Sequence, residues 1–181
     1  PGAWDPSAIA RRLVAAVELF EHLDPELRAQ IASALRPHVL APGDVLMRAG
    51  EAGSSVFIVE TGVLELALDA GGEERRPAAR LGTGDLVGEM SLLTGEPRAA
   101  TVTAVAETRV LELSHAAMSE VLADHPEIAE GLSRLMAQRK LANAAFVAEM
   151  TAEEKRAAAR NWSAQILADM LAFFGVGRAG G

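Results

Sequence analysis

Two stretches of helical period open the chain. Ile9, Leu13, Ala16, Val17 and Phe20 recur at helical spacing after Asp5-Pro6, and Leu27, Ile31 and Leu35 do so after Asp24-Pro25. Each Asp-Pro pair sets a capping carboxylate before a proline that suits the first helical position, so the pattern predicts two helices with apolar faces that must pack on something. From Pro37 the period shortens. Apolar runs at residues 45–47, 56–60, 63–68, 101–105 and 109–113 are divided by Pro42-Gly43-Asp44, Gly50-Glu51-Ala52-Gly53, Thr61-Gly62, Asp69-Ala70-Gly71-Gly72, Gly82-Thr83-Gly84-Asp85 and Thr94-Gly95-Glu96-Pro97. Turns at this density predict short strands, arranged as a roll or barrel.

After the strands the helical period returns. Ser114 is placed to cap a helix to about residue 123, and Asp124-His125-Pro126 restarts the chain into another that carries Ile128, Leu132, Leu135 and Met136. Residues 141–150 read as helical without a clean stripe. Thr151-Ala-Glu-Glu154 forms a capping box ahead of a helix bearing Trp162, Ile166, Met170, Phe173 and Phe174, closed by Gly175 and Gly177. That much apolar area must dock on this domain, on a second copy, or on another part of a parent protein. The class is α+β.

Composition narrows the picture. Half of the 181 residues are hydrophobic, which supports one well-buried core. No run approaches the roughly 20 apolar residues needed to span a bilayer, so the chain is expected to be soluble. It begins at Pro1, as an excised piece of a longer protein would. Without cysteine there are neither disulfides nor thiolate metal sites. A net charge of −8, with two Trp, five Phe and no Tyr, disfavours direct binding of nucleic acid. His22, His38, His115 and His125 form no metal-type pair and no nucleophile motif accompanies them, so neither an enzyme nor a metal or other cofactor is expected.

A small anion is a different matter. Residues 88–101 read Gly88-Glu89-Met90-Ser91-Leu92-Leu93-Thr94-Gly95-Glu96-Pro97-Arg98-Ala99-Ala100-Thr101, an order that suits a cyclic sugar phosphate. Gly88 lets backbone approach closely, and the residues after it suit one short helical turn with outward N–H groups. Arg98 offers a planar fork of donors to phosphate oxygens, with Ala99 and Ala100 leaving their own N–H groups unobstructed. Glu89, which as a carboxylate only accepts, matches a ribose hydroxyl.

This segment resembles the phosphate-binding cassette of cyclic-nucleotide-binding domains, the module of protein kinase A regulatory subunits, catabolite-activator-type regulators and cyclic-nucleotide-gated channels. The resemblance runs over residues 19–139. It implies an antiparallel, jelly-roll-like β-roll with N-terminal helices and C-terminal lid helices. It also implies that Glu89 takes the ribose 2′-hydroxyl, that Arg98 takes the cyclic phosphate, and that backbone around Gly88, Met90, Ser91, Ala99 and Ala100 completes the cradle. Ser91 stands where many members carry alanine. Cyclic-GMP-preferring members often carry threonine after the arginine, where this chain has Ala99, so cAMP is the expected ligand and cGMP the alternative.

The same resemblance divides the chain into an N-terminal helical segment (1–23), the binding domain (24–140, with cassette 88–101 and a lid helix at about 126–140) and a helical tail (141–181). Alternation places Leu64, Leu66 and Leu68 on one strand face, and Leu66 is a candidate wall for the base if that face looks inward. Arg134, Leu135 and Met136 are the candidate lid contacts. The tail resembles those of bacterial mechanosensitive-type channels with a C-terminal cyclic-nucleotide domain. The implied partners are a cyclic nucleotide and an effector in the parent chain, a membrane channel on whose cytoplasmic side the domain would lie, with a homo-oligomer as a further expectation. A transcription regulator of the catabolite-activator type is the alternative, since residues 165–178 mimic the first helix and turn of a helix-turn-helix.

Overall fold

Strands form where β-branched and aromatic residues stand between glycine turns, and they pair into two antiparallel sheets that face each other. The computed structural model describes residues 6–18, 20–69, 75–143 and 150–176. Contacts group the chain into two units, Pro1–Met118 and Ser119–Gly181.

The first unit begins with α1 (Pro6–Ala16) and α2 (Pro25–Ala34), which pack on each other. The Asp24 side chain accepts from the Leu27 N–H at 2.9 Å and Pro25 opens α2, as the sequence predicts; Asp5, the cap expected for α1, lies outside the described residues. Ala10, Leu13, Val14, Val17 and Phe20 are buried, whereas Ala16, expected on that face, is exposed. Helix α1 stops at Ala16 rather than reaching Phe20. Tight turns, with Phe20 N–H to Val17 O at 2.9 Å and Leu23 N–H to Phe20 O at 3.1 Å, carry the chain on to Asp24.

Among the described residues eight strands follow: β1 (Arg36–Leu40), β2 (Val45–Met47), β3 (Ser55–Thr61), β4 (Leu64–Asp69), β5 (Arg75–Leu81), β6 (Leu86–Val87), β7 (Thr101–Ala104) and β8 (Thr108–Ser114), with α3 (Glu89–Thr94) between β6 and β7. One sheet runs β1-β8-β3-β6 and the other β2-β7-β4-β5. Met47, Phe57, Val59, Leu64, Val87, Val102, Ala104 and Val110, drawn from both sheets, make the core between them. Val56 and Ile58 on the opposite face of β3 are also buried, so this strand reads as an unbroken apolar run instead of alternating. The architecture is the expected α+β roll. The turn expected at residues 69–72 lies largely outside the described residues.

Helix α4 (His115–Asp124) contains the division between the units, and Ser114 Oγ accepts from Ala117 N–H at 3.3 Å at its start. In the second unit α5 (Glu127–Asn143) packs on α6 (Ala152–Phe174). The capping box is present, Thr151 N–H to Glu154 Oε2 at 2.7 Å and Glu154 N–H to Thr151 Oγ1 at 3.2 Å, and Gly175 closes α6 with φ 67°. Ile166 and Met170 are buried while Trp162, Phe173 and Phe174 are half-buried, so α6 docks on its own chain. Residues 165–174 finish this unbroken helix. Most of the expected segment 141–150, and Gly177 and Arg178, lie outside the described residues. No helix among the described residues is long and apolar enough to cross a membrane.

Candidate functional site

The loop between β6 and β7 is built around one buried guanidinium. Gly88, with φ 91°, leads from β6 into α3, a position that glycine occupies without strain. Helix α3 ends after one and a half turns because Gly95, at φ 75°, returns its N–H to Ser91 O at 3.1 Å. The chain then runs to Arg98, whose backbone is stitched to the loop between β2 and β3: Arg98 N–H donates to Glu51 O at 2.9 Å, and Gly50 N–H donates to Arg98 O at 2.8 Å. Ala49 N–H donates to Thr101 Oγ1 at 3.1 Å, continuing the seam into β7.

Arg98 is only 8% exposed. Its Nη1 donates to Ser55 O at 2.6 Å and to Gly88 O at 3.3 Å, and its Cζ lies 5.8 Å from the centre of the Phe57 ring. Two of the five guanidinium donors are thus spent on orientation, and those on Nε and Nη2 carry no hydrogen bond among the described residues. Two glycines make room for this side chain. A β-carbon on Gly53 would strike Nε and Cζ, and one on Gly88 would strike Nη1 and approach Ser55 O to 2.9 Å. The bare α-carbon of Gly88, which would let backbone approach a ligand closely, is bordered by the Arg98 head group.

Burial lowers the pKa of Arg98 from its usual value, and the negative charge of Glu112 works in the opposite direction. The group remains a cation, since guanidinium does not deprotonate in proteins. It is largely shielded from water, where its field on an anion is stronger than at an open surface. The Glu112 carboxylate is itself pushed up by burial. Hydrogen bonds from Ser55 and His38, with the charges of His38 and Arg36, outweigh that and hold it below the usual carboxylate range.

Helix α3 and the residues directly after Arg98 carry the rest of the cassette read from the sequence. Glu89 is the first residue of α3 and half-buried, as is Met90; Ser91 is buried; Ala99 is exposed and Ala100 buried. Leu66 is partly buried against the inter-sheet core beside Leu64, while Leu68, expected on the same face, is 49% exposed near the end of β4. Arg134, Leu135 and Met136 belong to the second unit: Arg134 is exposed and paired with Glu130 at 3.8 Å, Leu135 is half-buried, and Met136 is 1% exposed.

Sequence reasoning missed the residues that hold Arg98. Gly53 reads only as part of a turn, Ser55 as the edge of an apolar run, and His38 as one of four scattered histidines. Glu112 had a visible signal, a lone carboxylate inside the apolar run of β8.

Comparison with known proteins bears on the same region. The family model for the cyclic nucleotide-binding domain matches residues 37–125. A cyclic nucleotide-gated potassium channel of Rhizobium etli is 36% identical over 129 residues, 71% of this chain and 35% of the channel. The solved structure of a cyclic nucleotide-binding-like protein from Brucella abortus is 30% identical with a TM-score of 0.57, covering 62% of this chain and 97% of that one. The regulatory domain of Toxoplasma gondii protein kinase A, crystallised with cAMP, is 25% identical with a TM-score of 0.64, over 74% of this chain and 50% of that one. The chain spans about a third of the length of the channel relatives it matches.

Proposed function

The chain belongs to the cyclic nucleotide-binding domain family, and from that premise we propose that it is a regulatory module, without catalytic activity of its own, that binds cAMP at Arg98 and transmits binding to an effector in its parent protein. The observation that carries this reading is the buried, pre-aimed guanidinium, with Nη1 tied to Ser55 O at 2.6 Å and donors left on Nε and Nη2. A cyclic phosphate is a monoanion with two exocyclic oxygens, which matches such a group in charge and in acceptor number. Glu89, at the start of the same short helix, takes the ribose 2′-hydroxyl. The backbone at Gly88, Met90, Ser91, Ala99 and Ala100 closes the cradle, and Leu66 supplies apolar wall to the base.

The channel relative supports a membrane channel as the effector, with this domain on the cytoplasmic side. Whatever the effector, a ligand shifts it only by the difference in affinity between two states of the chain, ordinarily about 1–3 kcal/mol. In this reading the output passes through the helices after the roll, with Arg134, Leu135 and Met136 as the candidate responders.

Calorimetric titration with cAMP tests the core of the proposal. Micromolar binding, roughly −8 kcal/mol, is expected for the chain as it stands, and Arg98→Ala should weaken it at least about tenfold. Equal affinity of the variant would refute the assignment of Arg98.

A further inference from the structure

The roll contains a second polar chain that leads to the same arginine from the other side. Glu112 on β8 accepts from Ser55 Oγ at 2.5 Å and is paired with His38 Nε2 at 2.6 Å. Strand register explains the meeting. Glu112 stands opposite Arg36 of β1 on one side and Phe57 of β3 on the other, with Ser55 two residues before Phe57 on the same face of β3. Ser55 therefore serves two partners: its hydroxyl is held by Glu112, and its carbonyl accepts from Arg98 Nη1 at 2.6 Å. Phe57 fills the space alongside, its ring 6.3 Å from that of His38 and 5.8 Å from Arg98 Cζ. A continuous path of short contacts runs from β1 through β8 and β3 to the cassette.

An arginine head group on a long, rotatable stem is only as well aimed as the acceptors that hold it. One of those acceptors, Ser55 O, belongs to the first residue of β3, directly after the loop between β2 and β3. Its hydroxyl is tied to a carboxylate in the middle of the neighbouring strand. A charge-assisted O–H···O bond of this length is among the stronger tethers available to a serine.

We propose that Glu112 is a positioning residue for Arg98, acting through Ser55: it anchors the Ser55 side chain and thereby the carbonyl that aims the guanidinium at the ligand phosphate. This rests on the reading of Arg98 as the phosphate-binding group. Glu112 does not touch the ligand in this role. Its removal should blur the orientation of the guanidinium rather than abolish its charge.

Orientation can be read separately from stability with the two phosphorothioate diastereomers of cAMP, in each of which one exocyclic oxygen is sulfur. A well-aimed guanidinium distinguishes them and a loosely held one does so less. The full chain and its Glu112→Ala, Ser55→Ala and Ser55→Thr variants would be titrated calorimetrically with cAMP and with each diastereomer, after thermal melts establish folding. Ser55→Ala keeps the Glu112 charge and removes only the tether, so it isolates geometry from electrostatics. The expected result is that Ser55→Ala and Glu112→Ala each reduce the diastereomer preference at least about threefold, and that Ser55→Thr, which returns the hydroxyl, recovers most of it. If Glu112→Ala does not fold, Ser55→Ala decides. An unchanged preference in folded Ser55→Ala overturns the proposal, as does a parent chain that binds both diastereomers equally. A parent chain that binds no cyclic nucleotide at all would instead overturn the functional reading beneath it.

Discussion

Gly53 presents its bare α-carbon to Arg98: a β-carbon there would collide with Nε and Cζ of the guanidinium and come within 2.8 Å of Cδ. The loop between β2 and β3 thus shapes the surroundings of Arg98 as much as the cassette itself does. The backbone seam of Gly50 and Glu51 with Arg98 holds the two loops in register.

Gly53→Ala should separate binding from stability. Gly53 does not need a left-handed backbone, and the atoms it would strike belong to the end of a flexible side chain, so Arg98 can swing aside at small cost to the fold. Its bonds to Ser55 O and Gly88 O would be lost with the movement. The expected outcome is at least about a tenfold loss of cAMP affinity with a melting temperature close to that of the parent, checked by calorimetric titration and thermal melts.

Gly88→Ala should behave differently. Here φ is 91°, and the new β-carbon would also lie 2.9 Å from the fixed Ser55 carbonyl oxygen. Backbone strain of this kind costs about 1–3 kcal/mol, so urea denaturation should show a clear loss of stability in addition to weakened binding.

Glu112 makes part of the stability pH-dependent. Its folded-state pKa is lowered: burial raises it, but the hydrogen bonds from Ser55 and His38 and the neighbouring positive charges more than offset that. A carboxyl whose pKa falls on folding contributes stability that is fully present above the unfolded value, about 4.3 for glutamate, and is lost as pH drops through the folded value. The melting temperature of the parent should therefore exceed that of Glu112→Gln at pH 7, and the gap should close as pH falls below about 4. A gap that stays the same size all the way down through the acid range, to where the folded carboxyl is protonated, would contradict this account.

Ala99 is exposed beside the buried Arg98. With cyclic nucleotide bound as proposed, a threonine hydroxyl at that position would offer an acceptor to the exocyclic 2-amino group that guanine has and adenine lacks. Ala99→Thr should raise the affinity for cGMP relative to cAMP by several-fold, on the order of 1 kcal/mol for one added hydrogen bond. Competition titration with the two nucleotides measures the ratio.

In the helical unit, Met170 of α6 is fully buried. Met170→Ala should cost about 2–5 kcal/mol, the usual range for truncating a buried methionine. Urea unfolding followed by the fluorescence of Trp162, on the same helix, would register it as a lower midpoint.

The interior strands were legible, and β2 begins and ends where its apolar run does. The strands that sequence reasoning left undrawn, β1, β5 and β6, all lie at sheet edges. Edge strands bury little on one side, so they tolerate Pro37, the arginines of β5 and a length of two residues, and carry no apolar run to announce themselves. Helix starts were legible wherever a side chain caps locally, as at Asp24 and Thr151, because such a cap spans only three residues.

The order of residues alone determined the roll, the cassette and the candidate roles of Glu89 and Arg98, because each depends on local periodicity, on turn chemistry or on donors and acceptors close together in the chain. Tertiary structure decided what holds Arg98 in place. Gly53, Ser55 and Glu112 reach it from 45, 43 and 14 positions away, by strand register and loop packing. No local pattern carries that information, since which strand lies beside which is set by burying the apolar faces of both sheets together.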